Sequence, residues 1–221
     1  MSLHYGDTAG ALENRSDFLS NLGIDYRSLV CAKQVHGDRV RYVREEDLGN
    51  GALTYATAIT DTDAFVTDEL NIPLAIFTAD CLSVFLYDPE TPAIGLVHAG
   101  WRSTKAGILG KTIRMMRDKF DTRAQNLIVN FGPAIRKCCY GVGKEFRDYF
   151  PVDVIEKSGK FYLDLAGINK RQAIDSGVRE DNIFDPGICT SCRNNEFFSF
   201  RREGKNCGRM ISVMMLKMAK G

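Results

Sequence analysis

Four apolar runs follow one another between residues 61 and 98: DAFVT, PLAIFTADC, LSVFLYD and AIGLVHA. Each is rich in β-branched and aromatic residues and is bounded by Asp, Asn or Pro. Runs of this length and composition predict consecutive strands, several of them buried on both faces. This block constrains the fold more than any other part of the chain. Strands that adjoin one another, with helices set apart from them, favour an α+β sandwich over a doubly wound parallel sheet. No Gly-x-Gly-x-x-Gly or Walker-type loop occurs, so a dinucleotide-binding or P-loop reading has no support.

The flanks supply the helices. Residues 9–22 predict an amphipathic helix with Leu12, Phe18, Leu19 and Leu22 on one face and Gly23 as its stop. Residues 103–120 predict a second helix, with Ser103 or Thr104 as N-cap. Ile108, Ile113, Met116 and Phe120 form its apolar stripe. GKEFRDYF and LAGINKRQAIDSG predict short helices, and NLIVNFGPAI (126–135) a strand ending in a Gly-Pro turn. Two short β-like pieces surround QVHGD within residues 28–43, and the Met-rich 209–218 segment predicts a closing core strand. With 221 residues, one domain over 1–221 is expected.

The formal net charge of +1 excludes reliance on a broad basic field, so nucleic acid is not an expected partner. No stretch reaches the roughly 20 apolar residues of a membrane span, and the start has no basic region leading into an apolar run. The expected location is therefore the cytoplasm. Seven cysteines are then thiols or metal ligands rather than a disulfide framework. Only three histidines are present, His4, His36 and His98, so any imidazole chemistry draws on these.

Three motifs stand out: QVHG (34–37), TADC (78–81) and HAGWR (98–102). His36 falls in a turn-like sequence, and Cys81 and His98 each close an apolar run. Polar groups at strand ends beside tight turns are where sites are built on a rigid scaffold. One thiolate and two imidazoles form a zinc-competent set that leaves the fourth tetrahedral position open. Asp80, next to Cys81, is a candidate for supporting the site or for acid/base work, and Arg102 for binding an anion such as phosphate. Each residue alone also has an ordinary reading: a lone Cys after an apolar strand is a small core residue, and a lone His a satisfied polar one. The gaps of 45 and 17 residues match no compact metal motif, so convergence must come from the fold. Cys189-x-x-Cys192 supplies two of the four ligands that a structural zinc needs. Its default reading is a pair of packed free thiols, and Cys138-Cys139 lies too far away in sequence to be assigned as the other half. The Arg201-Arg202-Glu203 run reads as a solvated face or as a strand end aiming Arg at an anion.

Six pieces carry a resemblance: QVHGDRV (34–40), TDAFVTD (62–68), TADC (78–81), GLVHAGWR (95–102), GPAIRKCCYGVG (132–143) and FFSFRREGKNCGRM (197–210). In kind and order they resemble the YfiH/YlmD/FAMIN-type laccase-domain, or polyphenol-oxidoreductase, family. The resemblance implies a single-domain α+β fold, a four-layer α/β/β/α sandwich with mixed sheets. It places metal ligands on His36, Cys81 and His98, and implies zinc, with copper as the alternative. It also implies phosphorolysis of adenosine, inosine, guanosine and methylthioadenosine, with adenosine deamination. Purine nucleoside and phosphate are then the partners, bound by Arg102, Arg201, Arg202 and Gln34, in a monomer or homodimer.

The chain departs from the family pattern in three places. It begins almost at the point of His4-Tyr5-Gly6-Asp7, so a family N-terminal segment is expected to be absent. Ser83 stands where a Pro is frequent, and Ser103 where a Gly often follows GlyTrpArg. Three other functions compete: a cysteine hydrolase with Cys81 as nucleophile and His98 as base, a copper phenol oxidase, and a non-enzymatic binding module. Multicopper oxidation needs many histidines, and three is too few for it.

Overall fold

The computed structural model describes residues 1–4 and 7–218. Tyr5 and Gly6, within the opening segment compared above, lie outside the described residues, as do 219–221. In chain order α1 (Thr8–Ser20) leads to β1 (Val30–Cys31), β2 (Val40–Tyr42), β3 (Ala64–Thr67), β4 (Leu74–Thr78), β5 (Leu82–Asp88) and β6 (Ala93–Ala99). Then come α2 (Trp101–Lys105), α3 (Ile108–Phe120), β7 (Ile128–Phe131), β8 (Gly141–Val142), α4 (Phe146–Tyr149), β9 (Val154–Lys157) and β10 (Lys160–Leu163). The remainder is α5 (Leu165–Asp175), β11 (Ile183–Phe184), α6 (Phe200–Glu203) and β12 (Met210–Met214).

The four apolar runs are the four strands β3 to β6, but they divide between two sheets. A six-stranded mixed sheet has the order β11-β7-β5-β6-β3-β2, and a three-stranded sheet the order β1-β4-β12. A further antiparallel sheet, β8-β10-β9, flanks the larger one. Side-chain alternation then builds the layers. Ile94 and Leu96 of β6 and Phe65 of β3 pack against Leu74 and Ile76 of β4, forming the core between the two sheets. The alternate residues Val97, Ala64 and Val84 pack against Ile108, Ile113 and Met116 of α3. On the far side Leu19 of α1 meets Ala75 and Cys31. The order of layers is helix, sheet, sheet, helix, as the α/β/β/α expectation required.

Several local expectations are corrected. The 103–120 helix is two helices, α2 and α3, broken at Gly107, whose φ of 76° is left-handed. Gly100, not Ser103 or Thr104, is the N-cap of α2; the buried Ser103 hydroxyl reaches back to the Gly100 N–H at 3.0 Å. In α1 the hidden face is Ala11, Arg15 and Leu19, whereas Phe18 and Leu22 are exposed. Arg15 reverses the expected face because its guanidinium donates to the carbonyls of Met1, Gly51 and Ala52 beneath the helix. The Met-rich segment forms the half-buried edge strand β12 beside β4, and only Leu216, which bridges Leu70, is buried in the core. Residues 200–203 form a single helical turn, not a strand end. Among the described residues, no helix is long and apolar enough to cross a membrane.

The break at Gly107 gives a clean test of backbone cost, because a Cβ there meets nothing within 4 Å. Gly107→Ala should lower the unfolding free energy by about 1–2 kcal/mol through left-handed strain alone. Urea denaturation measures this, and Gly107→Asn, which tolerates that region better, should lose less.

Candidate metal centre

Register decides which side chains can meet. β5 and β6 are antiparallel, with Leu82 opposite Ala99 and Ser83 opposite His98. His98 alternates in step with Leu96 and Ile94, so it points into the space between the sheets. Asp63, one residue before β3, shares the parity of Phe65 and points the same way. Cys81 is reached as the chain leaves the smaller sheet after β4 and enters the larger one at β5. Asp80 makes that crossing, with a φ of 89°. Three segments distant in sequence are thereby delivered to one end of the inter-sheet space.

There the ligand atoms of His36, Cys81 and His98 all lie within 4.8 Å of one another. Cys81 Sγ is 3.6 Å from His36 Nε2, and the two imidazole rings meet edge to face at 4.7 Å. Tetrahedral zinc with Zn–S near 2.3 Å and Zn–N near 2.05 Å requires a sulfur-to-nitrogen separation of about 3.6 Å. The spacing and chemistry of these donors therefore fit one such ion. The ring of His4, the third histidine, lies against that of Tyr55 at 4.4 Å, tilted by 34°.

Asp63 organises the site and was missed by sequence reasoning. Its carboxylate is fully buried and accepts from His98 Nδ1 at 2.7 Å. It also accepts from the backbone N–H groups of Val35, His36 and Gly37 at 3.1, 3.0 and 2.8 Å. Bending three successive N–H groups around one carboxylate holds His36 in a left-handed conformation, with φ at 58°. The bond to Nδ1 leaves Nε2 of His98 as the ring atom for a ligand, the carboxylate–histidine arrangement of metal sites. The only signal in the sequence was an acid immediately before an apolar strand. Gly100 completes the packing: a Cβ there would sit 2.8 Å from the His36 ring and 3.2 Å from Cys81 Sγ.

Charge within the cluster is strongly coupled. Burial pushes the Cys81 thiol up, but the His98 and His36 imidazoles outweigh this and bring it down to about 6. Burial pushes His98 down, yet Cys81 and Asp63 raise it to about 9. Burial likewise opposes ionisation of Asp63, and the hydrogen bonds from His98 and the backbone hold it below the usual carboxylate range.

A cavity of about 440 Å³ opens over this cluster. Of the predicted residues it is lined by Gln34, His36, Asp80, Cys81, His98, Arg102 and Arg201. Gln34 pairs with the Phe77 backbone, donating to its carbonyl at 2.9 Å and accepting from its N–H at 2.7 Å. Arg102 lies over Trp101, and Arg201 donates to the Gly141 carbonyl beside Tyr140. Arg202 is not in the lining; its guanidinium donates to the carbonyls of Thr190, Ser191 and Phe197. Both Asp80 carboxylate oxygens are engaged, one by the Thr190 hydroxyl and one by the Arg201 N–H, each at 2.7 Å. Two further arginines, Arg15 and Arg209, also line the cavity, and sequence patterning did not single them out.

The model of the family described as multi-copper polyphenol oxidoreductase laccase matches residues 1–217. The chain belongs to that family. A purine nucleoside phosphorylase, YlmD, of Geobacillus stearothermophilus is 35% identical over 224 residues, covering 97% of this chain and 82% of that protein. An adenosine deaminase from an unknown prokaryotic organism is 29% identical over 220 residues, covering 96% and 84%. The crystal structure of YlmD from G. stearothermophilus matches with a TM-score of 0.94 at 35% identity, over 97% of this chain and 83% of that one. That of Bacillus licheniformis YfiH matches with a TM-score of 0.92 at 32% identity, over 96% and 82%.

Asp63→Asn should remove about 3 kcal/mol of stability, the scale of a broken buried charge-assisted network. Amide exchange at Val35, His36 and Gly37 should accelerate in the same variant. The lowered pKa of Asp63 means its contribution is complete above the unfolded value near 3.9 and is lost as pH falls through the lower folded value. The gap between wild type and variant in urea melts should therefore close on acidification below about pH 4.

Proposed function

We propose that the chain is a zinc-dependent purine nucleoside phosphorylase that also deaminates adenosine, with His36, Cys81 and His98 as ligands. One observation carries the reading. A compact His-Cys-His cluster, backed by Asp63, forms the floor of an arginine-lined cavity, in a chain whose relatives bear those two activity names. A zinc ion held there supplies an open coordination position, at which the pKa of water falls to about 7.

The chain's own residues provide the rest. Arg102 and Arg201 offer guanidinium groups for phosphate, a pairing favoured by their planar donor geometry. Phe77 and Trp101 add aromatic surface to the cavity lining, with Arg15 and Arg102 over their respective rings. Gln34 is held rigid by its pairing with Phe77. Burial keeps the Tyr140 phenol protonated, so it remains a hydrogen-bond donor at the cavity wall. Phosphorolysis joins a phosphate oxygen to the ribose carbon and releases the base, which takes up a proton. Deamination replaces the exocyclic amine by a water oxygen. Adenosine, inosine, guanosine and methylthioadenosine share the ring and ribose that such a cavity would read. Copper also suits a His-Cys-His donor set, but the set accommodates one ion, with two imidazoles.

A second reading rests on the line Cys81–His98–Asp63. The 2.7 Å bond from His98 to Asp63 orients the imidazole as in a nucleophile–base–carboxylate triad. Metal and nucleophile roles compete for the same thiolate, so one experiment separates them. The protein is incubated with adenosine and phosphate, and adenine, ribose 1-phosphate and inosine are followed by chromatography. On the zinc reading, a chelator abolishes product and zinc restores it, His98→Ala and Cys81→Ala are inactive, and Asp63→Asn loses about 10–100-fold. Absence of all three products with zinc bound would sink the phosphorylase reading. Turnover that survives the chelator and is stopped by alkylating Cys81 would favour the hydrolase.

A further inference from the structure

The two cysteine pairs that are far apart in sequence are neighbours in space. The sulfur atoms of Cys138, Cys139, Cys189 and Cys192 all lie within 4.8 Å of one another. Cys192 Sγ is 3.7 Å from that of Cys138 and 3.4 Å from that of Cys139. Four sulfurs at the corners of a tetrahedron with Zn–S near 2.3 Å would stand about 3.8 Å apart. A disulfide needs a separation near 2.05 Å. Sulfurs gathered this closely leave room for a single ion at most, not for a multi-iron cluster. We propose that Cys138, Cys139, Cys189 and Cys192 form a second, structural metal site, a tetrathiolate centre for zinc, separate from the His-Cys-His cluster.

Three further observations support it. First, the backbone draws the two halves together without help from the sulfurs. Ala134 bridges Cys189 in parallel register, with Ala134 N–H bonded to the Ile188 carbonyl at 3.2 Å and Thr190 N–H to the Ala134 carbonyl at 3.1 Å. The Arg136 side chain donates to the Ile188 carbonyl and to Asp185 across the same junction. Second, each pair sits in a tight turn: the Cys139 and Tyr140 N–H groups bond to the Arg136 carbonyl at 2.8 Å, and the Arg193 N–H bonds to the Cys189 carbonyl at 3.1 Å. Third, Cys189 is buried while Cys138 and Cys192 face solvent. A soft ion can enter from outside and be held against a fixed inner ligand. Four soft thiolates with no open position select zinc over harder cations and leave no place for substrate.

The location gives the site a purpose. The 133–140 loop brings Ile135 and Tyr140 to the cavity wall, and Thr190 holds Asp80. A metal clamp between these two loops would fix one wall of the cavity without touching what binds there. Binding converts four thiols to thiolates and releases their protons to solvent, with no change of oxidation state.

The test is metal analysis of protein purified in reducing buffer without added metal, compared among wild type, His98→Ala, Cys192→Ser and the double variant. Cys192 is chosen because it is exposed, so its loss leaves the core intact; circular dichroism checks this, and Cys138→Ser serves as a second probe. The proposal expects one zinc equivalent to remain in His98→Ala and to fall at least 10-fold in the double variant. Cobalt substituted into His98→Ala should show the thiolate-to-metal absorption of a tetrathiolate centre, which Cys192→Ser removes. Equal metal content in His98→Ala and the double variant would overturn it. So would four thiols that react freely with a thiol reagent in the metal-loaded protein, or a mass deficit revealing a disulfide among the four. Loss of the His-Cys-His metal alone leaves this result unchanged, so the two sites are judged separately.

Discussion

The carboxylate of Asp63 is the interaction on which the site depends. Without charge, three converging N–H groups would have no reason to curl around it. His36 would have no reason to adopt a backbone conformation that few residues other than glycine accept. The same two oxygens orient His98, so one buried ion sets the direction of both imidazoles. Burying a charge is costly unless every lone pair is used. Here the requirement is met by groups belonging to the functional loop itself. Stability and site geometry are therefore the same property at this point, and neither can be altered alone.

The larger framework serves that point. Two sheets with a shared apolar core create a slot between them, closed along its length by Phe65, Leu74, Ile76, Ile94 and Leu96 and open at one end. The candidate donors His36, Cys81 and His98 sit where the slot ends. The chain passes between sheets at residues 79–81, which explains why Asp80 is left-handed and why its carboxylate is consumed by Thr190 and the Arg201 N–H. The carboxylate thereby ties the crossing to the Thr190 and Arg201 segments at the cavity wall.

What was legible in the sequence follows from locality. The strands β3 to β6 announced themselves because branched and aromatic residues favour the pleated sheet through near-neighbour packing. His36, Cys81 and His98 stood out because histidine is scarce and because Cys81 and His98 each close an apolar run. Long-range register left no mark of that kind. Nothing local in TDAFVTD distinguishes Asp63 from Asp68, although only Asp63 enters the inter-sheet space. Arg15 carried no local sign of burial, because the carbonyls that capture it come from Met1, Gly51 and Ala52. The two cysteine pairs were visible but could not be joined for the same reason: 49 residues separate them, and a single bridge closes the distance. The break at Gly107 was visible as a glycine, but its conformation depends on how α2 and α3 each pack.

The pairing of β5 with β6 carries a consequence for how such a chain can diverge. The 17-residue interval from Cys81 to His98 is one strand out, a turn and one strand back, with Asp88 opposite Ala93 at the closed end. The turn can lengthen or shorten without moving either ligand. A single insertion within either strand would instead rotate everything beyond it to the opposite face, sending His98 toward the helices. Length variation across descendants of this architecture should thus collect at residues 89–92 and be absent from the two strands.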